Sequence, residues 1–321
     1  MSQYLTQYAE LKEIAVFSTY PDRQLKDCVL NKRVNLPTPL GLLTPQYEHV
    51  GIRRKHIYSV SFFQSGKISR IALNEQTEVE TPLGKLPAEL ITFYESGSIK
   101  RLFPLNGQIS GFWEESEEYN LAQELVINLP FGSLKTKIIG IWFYENESIQ
   151  SLTLWPKETI AINTPIGEQK VRIGISFHPG GGIKSFEPAT PIDLLTPIGL
   201  INSFDNTANG ISGDNNSLSF TEDGTLKSMV TLSTKVTVLN HDNLVGLYSP
   251  QYIRDMVEEE IFFKPLRIEF KDDLVCFNGQ DEYKISKNYF KLEPYCKSAE
   301  SKCSDCASCN QCSPDMLKIM Q

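Results

Sequence analysis

Polar and apolar residues alternate along much of this chain, and the alternation breaks at regular places. "YSVSFF" before Gln64 and "KISRIAL" after Gly66 both switch polarity residue by residue, the period of a strand with one buried face. The residues between them include Ser65-Gly66, and glycine supplies the positive φ that a tight connection needs. The pattern therefore predicts a β-hairpin.

The same arrangement recurs along the chain. An aromatic residue, a turn residue four positions on and an aliphatic six positions on appear as Phe62, Gly66 and Ile68, and as Phe93, Gly97 and Ile99. They appear again as Phe177, Gly181 and Ile183, and as Phe220, Gly224 and Leu226. Phe143 and Ile149 keep the spacing with Glu147 in the glycine's place, and Thr19, Arg23 and Leu25 form a degenerate copy. Nine residues after each first position stands another apolar residue: Cys28, Ile71, Leu102, Leu152, Phe186 and Met229. Constant spacing keeps the aromatic and the aliphatic in register on one face.

A second element alternates with the first. "TPLG" begins at Thr38 and Thr81, "TPIG" at Thr164 and Thr196, and a reduced "PFG" at Pro130. Thirteen residues separate Leu25 from Thr38, Ile68 from Thr81 and Ile183 from Thr196. Proline has no N–H for a ladder, so this element predicts a strand end and a corner into the next unit.

A lone hairpin is not stable, so the units must stack or join edges. The expected fold is mainly β: an elongated array of about six β-hairpin repeats, open-sheet or solenoid-like, with a cysteine-rich C-terminal tail. The expected boundaries are an N-terminal segment with helical character at 1–14, the array at 15–247, a capping helix and terminal hairpin at 248–293, and the tail at 294–321. Short acidic helices are expected at 114–125 and 249–260, and a polar Asn/Gly-rich loop at 202–216.

The stretch "FYESGSIKRLFPLNGQISG" resembles a MORN-variant repeat, with an aromatic pair, a glycine turn, an aliphatic and a second glycine-containing turn about ten residues on. The likeness runs over 92–111 and in part over 62–73 and 218–232; the intervening "TPLG" element lies outside the family pattern. The resemblance implies hairpins laid side by side in an extended sheet, in antitoxin-like and scaffold proteins, and a binding role.

Charge narrows the partners. A net charge of −8 without a dense basic cluster argues against nucleic acid. Arg53-Arg54-Lys55 is the tightest basic run and is expected to be a solvated loop. No window approaches the ~18 consecutive apolar residues of a membrane span, and the N-terminal segment has no apolar signal core, so a cytoplasmic protein is expected.

No catalytic constellation emerges. His49, His56, His178 and His241 lie near no evident nucleophile, and "PGGGI" at 179–183 falls on a hairpin turn without a following helix or Lys-Ser/Thr pair. Glu95, Glu145, Glu222 and Asp223 recur with the turns and are expected to be solvated. Lys100, Lys184 and Lys227 share one repeat position and Arg70 and Arg101 the next, a weakly basic stripe or an ordinary solvent-facing strand.

Five of the seven cysteines lie between 296 and 312. Cys303, Cys306, Cys309 and Cys312 form an unbroken C-x2-C-x2-C-x2-C run, with Cys296 a further ligand and Cys276 a poorer one within a strand. Two-residue spacers let adjacent thiolates share one metal centre, and thiolates favour zinc, Cu(I) or iron–sulfur over hard cations. The run is similar to the bacterial ferredoxin loop, but its last spacer is one residue short and Ser313-Pro314 follows it. Redox or disulfide use of these thiols, and a flexible tail whose thiols have no role, are the competing readings.

The expected function is a non-enzymatic scaffold that binds a protein partner and holds zinc or an iron–sulfur cluster in its tail. The alternatives are an iron–sulfur accessory or electron-transfer protein docking to an enzyme, and an enzyme or binder acting on an extended polymer. Exposed sheet edges leave a homo-oligomer open.

Overall fold

Turn chemistry sets the architecture. In the computed structural model, which describes residues 2–48, 51–54, 57–206, 208, 216–254 and 261–295, six aromatic turns close alike. Tyr94 donates its N–H to the Ser98 carbonyl at 2.9 Å, and Gly97 donates back to Tyr94 at 3.0 Å. The same pair of bonds joins Tyr20 to Gln24 and Arg23, Phe63 to Lys67 and Gly66, and Tyr144 to Ser148 and Glu147. It recurs at His178 with Gly182 and Gly181, and at Thr221 with Thr225 and Gly224. The fourth turn position is left-handed each time, with φ 81°, 100°, 87° and 83° at the four glycines, 68° at Arg23 and 69° at Glu147. Outside glycine this conformation costs about 1–2 kcal/mol.

The described chain forms two compact units, the first up to Phe186 and the second from Glu187 on. The first contains β1 (Ser2–Leu5), β2 (Glu10–Thr19), β3 (Leu25–Leu30), β4 (Leu36–Thr38), β5 (Gly41–Leu43), β6 (Val60–Phe62), β7 (Ile68–Thr81), β8 (Gly84–Phe93) and β9 (Ile99–Phe103). It continues with α1 (Glu115–Leu121), β10 (Leu125–Leu129), β11 (Gly132–Thr136), β12 (Ile138–Phe143), β13 (Ile149–Leu154), β14 (Thr159–Thr164) and β15 (Gly167–Phe177). Pairing is antiparallel throughout, in the order β1-β2-β3-β6-β7-β8-β9-β12-β13-β15.

Five of the six aromatic turns carry a described β-bulge. Phe62 pairs with Ile68 but Ser61 pairs with Arg70, leaving Ser69 as the extra residue. Lys100 and Gln150 are the extra residues of the next two hairpins, and Lys26 of the first. The bulge lets the aliphatic six residues on and the apolar residue nine on face the same core, although an odd separation would put them on opposite faces of a regular strand. The result is an unbroken row of register partners, Cys28, Val60, Ile71, Ile91, Leu102, Ile141, Leu152 and Ile175. None is more than 2% exposed.

The Thr-Pro elements are hairpin tips, not corners. Thr81 pairs with Gly84; its Oγ1 accepts the Leu83 N–H at 3.1 Å and donates to the Gly84 carbonyl at 2.7 Å. Thr38, Thr164 and Thr196 repeat both bonds. Proline here occupies the first central turn position, where no ladder N–H is required, so it begins the reversal instead of ending the pairing. The Thr-Pro tip at Pro39 and the reduced tip at Pro130 pack on aromatic turns further along the chain: a Cβ on Gly97 would meet Pro39 at 3.4 Å, and one on Gly181 would meet Pro130 at 3.2 Å.

Tyrosines tie successive aromatic turns together. The Tyr20 hydroxyl donates to the Phe62 carbonyl at 2.9 Å, Tyr94 to Phe143 at 2.8 Å and Tyr144 to Phe177 at 2.9 Å. Phe63 holds the equivalent position in the second turn and has no hydroxyl to give.

The expected N-terminal helix is a strand pair instead. Thr6 closes a turn onto Ala9, and Ile14 and Phe17 pair with β3, so edge pairing overrides helical propensity. The acidic helix within 114–125 forms as α1, capped by reciprocal bonds between Glu114 and Glu117. At 249–260 the structure has a strand over Gln251–Arg254, with 255–260 outside the described residues. The terminal hairpin forms between the strands Leu266–Lys271 and Leu274–Phe277, within a second unit that also holds the three-strand group of Thr234–Asn240, Asn243–Tyr248 and Tyr289–Pro294.

Replacing Glu147 by glycine relieves the left-handed strain at a smaller entropic cost, and is expected to raise stability by about 0.5–1 kcal/mol in urea unfolding. Tyr144→Phe removes one inter-turn bond and is expected to lower it by about 1 kcal/mol.

Candidate functional site

Two charged constellations stand out in the first unit, and they behave oppositely. The first surrounds the irregular segment at Asn106-Gly107 between β9 and α1. Arg53 donates through Nε and Nη2 to Glu118 at 2.7 Å each, and through Nη1 and Nη2 to Glu89 at 3.0 and 2.8 Å. Glu118 also accepts the Trp113 indole N–H at 2.7 Å and the Gly107 N–H at 2.8 Å, while Glu89 accepts the Asn106 N–H at 2.7 Å. A Cβ at Gly107 would overlap the Glu118 carboxylate, so glycine leaves room for it there.

This corrects the expectation of a solvated basic loop. The Arg53 side chain is 12% exposed and Arg54 is buried, with Arg54 Nη2 donating to the Leu73 carbonyl at 2.6 Å and to Gln46 Oε1 at 3.1 Å. The partners Glu89 and Glu118 lie 36 and 65 residues away, and no local pattern announces them. Lys55, His49 and His56 lie outside the described residues.

Within this cluster Glu118 is saturated, although Arg54 Nε and Asn106 Nδ2 are buried without a partner. Burial pushes the Glu118 carboxyl upward, but bonds from Arg53, Trp113 and Gly107 outweigh it and hold Glu118 below its usual range. Burial likewise acts to lower Arg53, and the two carboxylates reverse this and raise it. Glu118 accepts four hydrogen bonds, which fills the lone-pair sites of a carboxylate. It has no capacity left to take up a substrate proton.

The second constellation lies on the face of the sheet opposite the apolar row. Ser61, Arg70, Thr92, Arg101 and Trp142 are successive register partners on β6, β7, β8, β9 and β12. The Arg101 guanidinium carbon lies 3.7 Å from the Trp142 ring centroid. Thr92 Oγ1, Arg101 Nε and Trp142 Nε1 are buried atoms without a hydrogen-bond partner. The shared repeat position of Arg70 and Arg101 pointed to this row. Thr92 and Trp142 were missed, although both immediately precede the aromatic of their unit, as Ser61 does.

The remaining sequence candidates disperse. "PGGGI" forms the fifth aromatic turn, closed by His178 N–H to the Gly182 carbonyl at 2.8 Å, and His241 lies in a turn with φ 45°. Glu95, Glu145 and Glu222 are exposed at turn tips. Lys100 and Lys227 are bulge residues, and Lys100 lies 5.4 Å from the Tyr94 ring centroid. Cys28 is buried in the apolar row, where burial pushes its thiol up to about 12. Cys276 is paired with Glu269 and Glu282; burial and then these carboxylates raise its thiol, which disfavours the thiolate form. Cys296, Cys303, Cys306, Cys309 and Cys312 lie outside the described residues. Among the described residues no group of three or more His, Cys, Asp or Glu is placed to hold a metal, and no helix is long and apolar enough to cross a membrane. Comparison with protein-family models and with curated proteins yields no match.

Glu118→Gln leaves Arg53 underpaired in a buried setting and is expected to cost about 3 kcal/mol in urea unfolding. Because folded Glu118 holds its proton more weakly than the unfolded chain does, its stabilisation is complete above the ordinary glutamate value of 4.5 and fades as the pH falls below it. The acid limb of a stability-versus-pH curve should flatten correspondingly in the Gln variant.

Proposed function

We propose that the chain is a non-enzymatic β-repeat scaffold that binds a protein partner and carries a thiolate metal site in its C-terminal tail. The observation that carries this reading is the single hydrogen-bonded turn geometry shared by six stretches of the chain. Together with the Thr-Pro tips between them, it supports one structural unit repeated along the chain. The buried carboxylates at Arg53 are engaged in holding a loop, which leaves the half-buried sheet face as the surface available for recognition.

The metal site rests on the tail's sequence. Cys303, Cys306, Cys309 and Cys312, with Cys296 nearby, offer thiolates at spacings suited to zinc or an iron–sulfur cluster. The likeness of that run to a ferredoxin loop favours one second reading, an iron–sulfur accessory protein that docks to a partner enzyme.

Elemental analysis and a visible spectrum of the anaerobically purified full chain separate the two. Stoichiometric zinc in a colourless protein supports the scaffold reading. A brown protein absorbing at about 400 nm supports the second, and protein free of both metals removes the thiolate site. Converting Cys306 and Cys309 to serine is expected to abolish whichever metal is bound.

A further inference from the structure

Arg70 and Arg101 occupy the middle of the first unit's sheet without a hydrogen bond or ion pair from any described residue. They flank Thr92 as its direct register partners on either side. Supply of carboxylates does not explain this, since the chain has 39 Asp and Glu against 31 Lys and Arg. Arg53, by contrast, is gripped by Glu89 and Glu118, and Arg267 by Glu269 at 2.9 Å. The row's own carboxylate, Asp27, is two strands from Arg70 and already accepts the Ser18 hydroxyl at 2.8 Å. Burial holds Arg70 below the usual arginine range, and Asp27 offsets this only in part.

The geometry suits a planar anion. Arg101 lies against the Trp142 ring at 3.7 Å with its Nε buried, and a guanidinium stacked through its face leaves its Nη groups for in-plane acceptors. Thr92 Oγ1 and Trp142 Nε1 are also without partners but are shielded from solvent, so the guanidinium groups carry the contact. The two arginines stand about 10 Å apart across two strand spacings, a distance spanned by about three residues of extended peptide. Backbone N–H groups in mid-sheet belong to the ladder, so the nest of amides that commonly cradles a phosphate is not offered here.

We propose that Arg70, Thr92, Arg101 and Trp142 form the contact site for an acidic segment of the protein partner, whose carboxylates meet the two guanidinium edges while its chain lies against the indole. The proposal rests on the scaffold reading and names the chemistry of the partner that reading requires.

The test uses the full chain and a fluorescein-labelled hexaglutamate peptide, with hexaglutamine as control, followed by fluorescence anisotropy at low and high salt. Hexaglutamate is expected to bind at low salt, weaken as salt screens the charges, and outbind hexaglutamine. Arg70→Gln and Arg101→Gln should each weaken binding about tenfold, and Arg101→Lys should restore only part of the loss, because it keeps the charge but not the fork. In the unsubstituted chain, the Trp142 indole N–H resonance should shift on peptide addition while that of Trp155 stays in place, a readout independent of any variant's folding. Equal affinity in the Arg70→Gln, Arg101→Gln double variant, or no binding of hexaglutamate, overturns the site and leaves the scaffold reading to the metal analysis. Displacement of the peptide by equimolar inorganic phosphate would reassign the site to a small anion. Loss of self-association in the double variant, without any peptide binding, would reassign it to a second copy of the chain.

Discussion

The bulged aromatic turn is the constraint on which the rest of the structure depends. A left-handed residue at the fourth position allows the extra residue that follows it, and that residue resets the strand's phase. In the second hairpin, Ile68 and Ile71 are three apart and still face one core because Ser69 is accommodated between them. Were the bulge lost, pairing would shift by one and Arg70 would move opposite Val60. The apolar row would then break at every hairpin, since a one-residue slip exchanges the two faces of a strand. Arg23 and Glu147 hold the same conformation without being glycine, which shows that the surrounding pairing is strong enough to impose it.

The same phase setting builds the opposite face. Once the apolar positions are committed to the core, the residues just before each aromatic and eight after it must share the other side. In this way Ser61, Arg70, Thr92, Arg101 and Trp142 come together from five strands. The polar row is therefore a by-product of core registration, and its composition is free to vary from unit to unit without disturbing the fold. Further along the same row, Trp142 pairs with Ser151 and Ser151 with Ser176, and both serines are buried. The charged and aromatic character is concentrated in the middle hairpins.

How much of this was legible depended on the range of the interaction. The aromatic hairpins could be seen because glycine, aromatic and aliphatic lie within ten residues and report one local geometry. The Thr-Pro tips were visible as a period but misassigned, because proline's missing N–H suggests a strand end unless the neighbouring threonine's side-chain bonds are considered. The start of the chain carried helical residue types, and only pairing with β3, contributed from further along, made it a strand. Arg53 was opaque for a stronger reason: nothing near it in sequence specifies Glu89 or Glu118. Thr92 and Trp142 were legible in principle, since their position before the aromatic is as regular as that of Arg70 and Arg101 after it.

Arg53 and Arg101 show why one cluster is structural and the other can await a ligand. A guanidinium removed from water must find acceptors within its own fold, because a buried unpaired charge costs several kcal/mol. Arg53 meets that demand with two carboxylates, which also hold the Asn106 and Gly107 N–H groups and so pin that segment and α1 to the sheet. Arg101 is only half-buried, rests on an aromatic ring and keeps contact with solvent, so leaving it without a carboxylate costs far less. The free energy that an incoming carboxylate gains there has not already been taken up by the fold. A recognition surface in an acidic chain thus requires arginines placed beyond the reach of the chain's own carboxylates, and the middle of a wide sheet, flanked by serine and threonine, provides that separation.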